Sequence, residues 1–376
     1  MELVELAKAL ISFRTEIPPG NEEPCARYIY DHLSDLHIQG AEVTLDRFEE
    51  GRANVLARFG PKEPGLLLSG HIDVVPAGDE SEWSHPPFEA TVRSGRLYGR
   101  GAADMKAGLA AVLKAMEGAN GKKLRRGLLF VATSGEEVGF EGLKGIYARS
   151  LLPERAAKVG VLAEPTSMRP IRAHKGLADF RITVIGRSGH SSNPKLGVNA
   201  VEKCAKVIEG VSAWSRSIAK DSDELLGSTI ATSTVVRGGT KSNVIPDSCE
   251  LIVDARWIPE HGTAFVQEGL NSVISSLRRK DPELRAKVEL MYDSPSLKVP
   301  RSDPAVKLAE SVSEAASEVA PYGTEAALYA KHGIPSVVLG PGSIKQAHVV
   351  DEFVEVSEAR RAQSAYEKMI ESVCFG

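Results

Sequence analysis

Three short apolar runs, Leu66-Leu67-Leu68, Leu128-Leu129-Phe130-Val131 and Val159-Gly160-Val161-Leu162, constrain the fold of this chain more than any other feature. None shows the polar alternation of a half-exposed strand, so each must be covered on both faces. Between the first two lies 105–116, rich in Ala and Leu at helical spacing, and the section reads strand, helix, strand. Such crossovers build sheets with parallel neighbours. The expected fold class is therefore α/β, with a mixed, largely parallel sheet flanked by helices.

Apolar residues at helical spacing in 3–11 and 26–33 predict two opening helices, followed by extended segments at 42–48 and 54–59. From about His174 the pattern changes to long alternating strands, 177–185, 229–236 and 249–257, interleaved with helices near 198–218 and 263–277. Alternation of that kind marks a sheet covered on one face, hence a separate α+β unit. After Ser294-Pro295 the first style returns, with a helix near 303–319, a buried strand at 336–339 and a closing helix at 358–373. The expected organisation is a discontinuous catalytic domain, 1–173 and 295–376, with a second domain, 174–294, inserted into it.

The opening Met1-Glu2-Leu3-Val4-Glu5-Leu6 has no basic flank or continuous apolar run and reads as the first helix. No stretch approaches the roughly 20 apolar residues that span a bilayer. A soluble, cytoplasmic protein without membrane contact is expected. Cys25, Cys204, Cys249 and Cys374 are scattered and form no C-x-x-C pair, which argues for reduced thiols. The net charge of −4 and the shortness of basic runs such as Arg278-Arg279-Lys280 speak against nucleic acid as a partner.

Candidate chemistry gathers where strands end, the place at which open α/β sheets bind ligands. The first run leads into Gly70-His71-Ile72-Asp73, and alternation puts His71 and Asp73 on one face. An aspartate two residues on can accept a hydrogen bond from the second ring nitrogen of a metal-bound histidine. Taken alone, His71 is more often a partly buried structural histidine than a ligand. A glycine-rich turn delivers Asp104 to the start of a helix, where it is either a helix cap or a metal ligand. Glu136 and Glu137 are adjacent and must point differently, so one can bind metal while the other handles a proton; two solvated glutamates are the plainer alternative. Glu164 closes a strand just before Pro165, and a Gly-Pro loop leads to His348; a plain turn and an exposed loop histidine are the alternatives. Individually weak, these five donors together suit a pair of divalent zinc ions.

Taken in order, the motifs resemble those of the M20 metallopeptidases, a family that includes aminoacylases, succinyl-diaminopimelate desuccinylases and acetylornithine deacetylases. The resemblance spans essentially the whole chain. It rests on Gly70-His71-Ile72-Asp73-Val74-Val75-Pro76, on 83–88, on Leu97-Tyr98-Gly99-Arg100-Gly101 with Asp104-Met105-Lys106, on Glu136-Glu137, Glu164-Pro165-Thr166 and Gly189-His190-Ser191-Ser192, and on His348. It departs from the family at Ile72, where threonine is common, and at Gly135, where an aspartate can occur. Neither position is an expected ligand.

The resemblance implies a zinc-exopeptidase-like catalytic domain carrying an inserted dimerisation or lid domain. It implies two Zn2+ per subunit, replaceable by Co2+: His71 and Glu164 on one, Glu137 and His348 on the other, Asp104 bridging. Glu136 would be the general base, Asp73 the partner of His71, and His190 an oxyanion donor from the second subunit of a homodimer. Asn243 and Arg256 resemble positions that hold the substrate carboxylate, and arginine's planar fork suits that task; a surface strand residue is the alternative for Arg256. Stretches including 164–167, 172–176, 323–326 and 339–344 look most like the acetylornithine deacetylase branch. That branch implies removal of acetate from N2-acetyl-L-ornithine, in which case Glu325 could face the side-chain ammonium or simply sit at a helix N-terminus. A desuccinylase or a broad N-acyl amino acid hydrolase is the alternative within the family. A non-catalytic, dimeric amino-acid or metal-binding protein is the alternative from another class.

Overall fold

In the computed structural model, which describes residues 1–375, the apolar runs lie side by side. Strand Gly65–His71 pairs in parallel with Leu128–Thr133 on one edge and with Ala157–Leu162 on the other. Every residue of Gly65–His71 and of Leu128–Thr133 is buried, the burial that unbroken apolar runs demand. Ser336–Val338 continues the parallel set beside Ala157–Leu162. Antiparallel strands finish the sheet: Arg52–Phe59 and then Glu42–Glu49 at one side, Ile171–His174 at the other. Helix Ala107–Glu117 packs against Val356–Ile370 and Leu3–Ser12, while Glu23–Ser34 covers Arg52–Phe59. The parallel strands thus all end on one side of the sheet, and their following loops converge there.

The chain divides into two units. One holds Met1–Arg172, Val299–Glu318 and the chain from Thr324 onward; the other holds Ala173–Lys298 and Val319–Gly323. The division falls at 172/173 and 298/299 rather than at the expected 173/174 and 294/295 because Leu297–Lys298 pairs with Ala173 and His174. The second unit has an antiparallel sheet in the order Ile230–Gly238, Ser248–Trp257, Gly176–Ile185, Arg285–Ser294. Alternate residues of Gly176–Ile185 and Ser248–Trp257 are buried, and helices Ala200–Ile218 and Thr263–Lys280 close that face over Phe180, Ile182, Leu251 and Val253. Among the described residues no helix is long and apolar enough to cross a membrane.

Three local expectations need correction. The helix expected at 303–319 runs only over Pro304–Ser313, because Glu314 turns left-handed at φ 57°. The helix expected from 105 begins at Ala107, since Asp104 (φ −121°, ψ 94°) and Met105 are not helical. Strand Arg285–Ser294 is not among the expected strands; it lies at a sheet edge and its alternation is blurred by exposed residues.

Candidate active site

His71 ends its strand buried, and its ring is held from both sides. Nδ1 lies 2.9 Å from the main-chain carbonyl of Asp73, which fixes the proton there. Nε2 faces Asp104 Oδ1 at 2.9 Å and Glu164 Oε1 at 3.7 Å. The expectation that the Asp73 carboxylate holds the ring is corrected, because Oδ1 is 3.7 Å from Nδ1 and the carboxylate is used elsewhere. Its two oxygens accept the main-chain N–H groups of Glu136 (3.1 Å) and Glu137 (3.0 Å). Asp73 therefore fastens the end of one core strand to the glutamate turn after the next. That turn needs Gly135 at φ +74°: a side chain there would also run into the Arg52 guanidinium.

Asp104 comes from a turn rather than from a core strand. Gly101, at φ +82°, opens it, and a Cβ there would lie 2.7 Å from Val74. The Asp104 carboxylate does not cap the helix behind it, which has no side-chain cap. Its Oδ2 instead faces His348 Nε2 at 3.3 Å, and His348 Nε2 lies 2.9 Å from Glu137 Oε1. His348 is left-handed at φ 63° and its side chain is 46% exposed, against 10% for Glu137 and 8% for Asp104. The cluster is thus open on the His348 side. The loop before it is stitched to the Glu164 segment, with Ser167 N–H donating to the Gly342 carbonyl at 2.6 Å.

Potential ligand atoms of His71, Asp104 and Glu164 lie within 4.8 Å of one another, as do those of Asp104, Glu137 and His348. Asp104 is common to both sets. Glu136 joins His71 and Glu137 within the same distance. The electrostatics fit a site that lacks positive charge. Burial pushes the Glu136 carboxyl well above its usual range, with Glu164, Glu137 and Glu325 adding to it. Burial and Asp104 hold Glu164 at about 7. Burial works against a charged His71, but Glu164 and Asp104 outweigh it and hold the imidazole well above its ordinary value. Hydrogen bonds to Asp104 and Glu137 raise His348 to about 10. Protons on the histidines and on buried carboxyls do here what divalent cations would do better.

Glu325 is 1% exposed, so neither oxygen faces solvent; Oε2 accepts a hydrogen bond from Thr133 Oγ1 at 2.8 Å and Oε1 accepts none. It does precede helix Ala326–Lys331, yet makes no capping hydrogen bond. The other expected residues, His190, Asn243 and Arg256, belong to the second unit. His190 is exposed on a two-residue strand paired with Val244–Ile245, and Ser191 N–H donates to the Asn243 carbonyl at 3.1 Å. The Arg256 fork is engaged by Asp254 on the same strand, at 3.0 and 2.8 Å. Sequence reasoning missed Glu352 and Arg100, which brace the Asp104 turn. Arg100 lies within the Leu97–Gly101 motif but had no role there, and nothing in the periodicity around Glu352 marks it as buried.

The sequence profile of peptidase family M20/M25/M40 matches residues 67–372. The chain is 34% identical over 343 residues to the acetylornithine deacetylase of Erwinia tasmaniensis, covering 90% of this chain and 87% of that one. Its fold is shared with an M20 family metallo-carboxypeptidase from Sulfolobus solfataricus (20% identity, TM-score 0.80, 99% of each chain). It is shared also with aminopeptidase PepT from Bacillus cereus (23% identity, TM-score 0.77, 98% of this chain and 97% of that one).

Proposed function

Because the chain belongs to peptidase family M20/M25/M40 and is a metal-dependent amide hydrolase, we propose that it deacetylates N2-acetyl-L-ornithine to L-ornithine and acetate. One observation carries the chemistry: two overlapping sets of ligand atoms share Asp104, with Glu136 beside them. The 34% identical relative, an acetylornithine deacetylase, supports the substrate; with that substrate we assign the chain to arginine biosynthesis, in the cytoplasm.

The donor set fits the metals. Two imidazoles and three carboxylates, mostly buried and poor in positive partners, are what two Zn2+ ions take, with Co2+ as a substitute. His71 and Glu164 would hold one, Glu137 and His348 the other, and Asp104 both. When bound, the pair supplies Lewis acidity that polarises the amide and makes a water more acidic. Glu136 then takes the proton of the attacking water and delivers it to the leaving nitrogen, a double duty open to a carboxylate that binds neither metal. Asp73, by accepting two main-chain N–H groups, holds the turn that carries Glu136 and Glu137 in place.

His190 is assigned to the developing oxyanion. Ser192 N–H donates to His190 Nδ1 at 3.2 Å, so the proton of the neutral ring sits on Nε2, the tautomer a donor needs. We assign its delivery to the partner of a homodimer; the edge strand Ile230–Gly238, with Val235 and Val236 exposed, offers the second unit a pairing surface. Asn243 and Arg256 are assigned to the substrate carboxylate, which must displace Asp254 from the Arg256 fork. Glu325 is assigned to the side-chain ammonium, because a buried carboxylate oxygen without a donor gains most from a cation.

Metal-stripped protein, assayed with zinc or cobalt restored, tests this reading on N-acetylornithine, N-succinyl-diaminopimelate and N-acetylmethionine. Metal-dependent release of acetate, fastest from N-acetylornithine, is expected. Preference for the succinyl substrate would move the assignment to the desuccinylases, and binding without turnover of any substrate would overturn the enzyme reading.

A further inference from the structure

Glu352 lies four residues past His348, is fully buried, and has no part in the roles assigned above. Its Oε1 accepts the main-chain N–H groups of Ala103 (2.8 Å) and Asp104 (3.0 Å). Its Oε2 accepts from Arg100 Nη1 at 2.6 Å. Arg100 also donates to the carbonyls of Val349, directly after His348, and of Pro76, both at 3.3 Å. The chain is sewn together on either side of this contact. Gly99 N–H donates to the Glu352 carbonyl at 3.0 Å, and Phe353–Glu355 pairs antiparallel with Arg96–Tyr98.

These bonds have a specific consequence for the two halves of the cluster. His71 ends one of two adjacent, paired core strands and Glu164 follows the other, so the sheet sets their spacing. His348 has no such support: it is left-handed, half exposed, and ten residues past the end of strand Ser336–Val338. Asp104 sits in an irregular turn in which the N–H groups of Ala103 and Asp104 are satisfied by a side chain rather than by the main chain. Glu352 supplies that acceptor, and Arg100 supplies the countercharge without which burying a carboxylate is costly. We propose that Glu352 is a positioning residue that fastens His348 to Asp104, and so bears chiefly on the Asp104–Glu137–His348 half of the metal centre, where both fastened residues would be ligands, and less on the His71–Glu164 half, which shares only Asp104 with it. The inference rests on the two-metal reading given above.

The test is zinc titration of metal-stripped full-length protein by calorimetry, with cobalt absorption spectra recorded at one and two equivalents. Wild type should take two equivalents. Glu352→Gln, which keeps the size but loses the charge that Arg100 requires, should weaken the first equivalent less than the second, since the His71–Glu164 half shares only Asp104. It should bind the second about 10- to 100-fold more weakly, the usual effect of losing a residue that orients a ligand. The cobalt spectrum should change less at one equivalent than at two. A general loss of structure would weaken both equivalents together, so equal weakening, or wild-type affinity for both, overturns the proposal. Should Glu352→Gln not fold, Arg100→Lys, which keeps the charge but loses the fork, carries the same expectation. A wild-type protein that binds no divalent cation would instead sink the metal reading itself, and this inference with it.

Discussion

The Asp73 carboxylate is bonded to the main chain of Glu136, not to a side chain: Oδ1 accepts its N–H at 3.1 Å, while Oδ2 accepts that of Glu137 at 3.0 Å. A ligand-bearing strand and the turn that carries the proposed base are thus one rigid piece. In Asp73→Asn, one oxygen still accepts an N–H, but the amide nitrogen opposes the other. Steady-state kinetics should show kcat lowered about 10- to 100-fold with KM nearly unchanged. Unaltered kcat would remove Asp73 from any role in placing Glu136.

If Glu325 faces the substrate ammonium, its loss should act on one substrate and spare another. Glu325→Gln removes the ionisable carboxyl, which a nearby ammonium would hold charged, and keeps the hydrogen bond to Thr133 available. KM for N-acetylornithine should rise about 10-fold or more, as loss of a charged partner implies, with little change for N-acetylmethionine. Equal effects on both substrates would mean that Glu325 serves the fold, not the ammonium.

The same residue makes a prediction about pH. Burial raises the Glu325 carboxyl from 4.5 to about 8. Between those values the folded protein keeps a proton that the unfolded chain gives up, so stability is full below 4.5 and is lost as pH rises through about 8. Metal-free Glu325→Gln cannot undergo this loss. Its urea midpoint should fall less than that of wild type between about pH 5 and pH 8, because every tenfold difference in proton affinity between folded and unfolded chain is worth about 1.4 kcal/mol. Parallel curves would contradict the burial argument.

His190 and Glu136 offer a test by mixing. His190→Ala and Glu136→Gln should each be nearly inactive, with losses of about 100-fold or more. If His190 acts across a dimer, unfolding and refolding the two variants together creates one site with both groups intact, and activity should return. Mixed protein no more active than its parents, once shown to contain hybrids, would place His190 in its own subunit's chemistry or outside it.

Much of this arrangement is legible in the sequence because the physics behind it is local. Unbroken apolar runs specify the central strands, and the polar residues at their ends, His71, Glu137 and Glu164, come together because adjacent parallel strands end side by side. The alternating strands of the second unit are equally plain. What escapes is set by tertiary contact. The 303–319 helix stops early through a single left-handed residue, Glu314. Strand Arg285–Ser294 is an edge that buries little. Asp73 keeps company with His71 as its spacing implies, but through its carbonyl, since the two N–H groups of the glutamate turn claim the carboxylate. Glu352 is invisible because its partners, the amides of Ala103 and Asp104, lie about 250 residues away in the chain.

The most direct measurement is anomalous diffraction at the zinc edge from crystals grown with zinc. Two peaks are expected, one among His71, Asp104 and Glu164 and one among Asp104, Glu137 and His348, with Glu136 bound to neither. A map with no peak beside Asp104, or with Glu136 as a ligand, would contradict the two-metal centre.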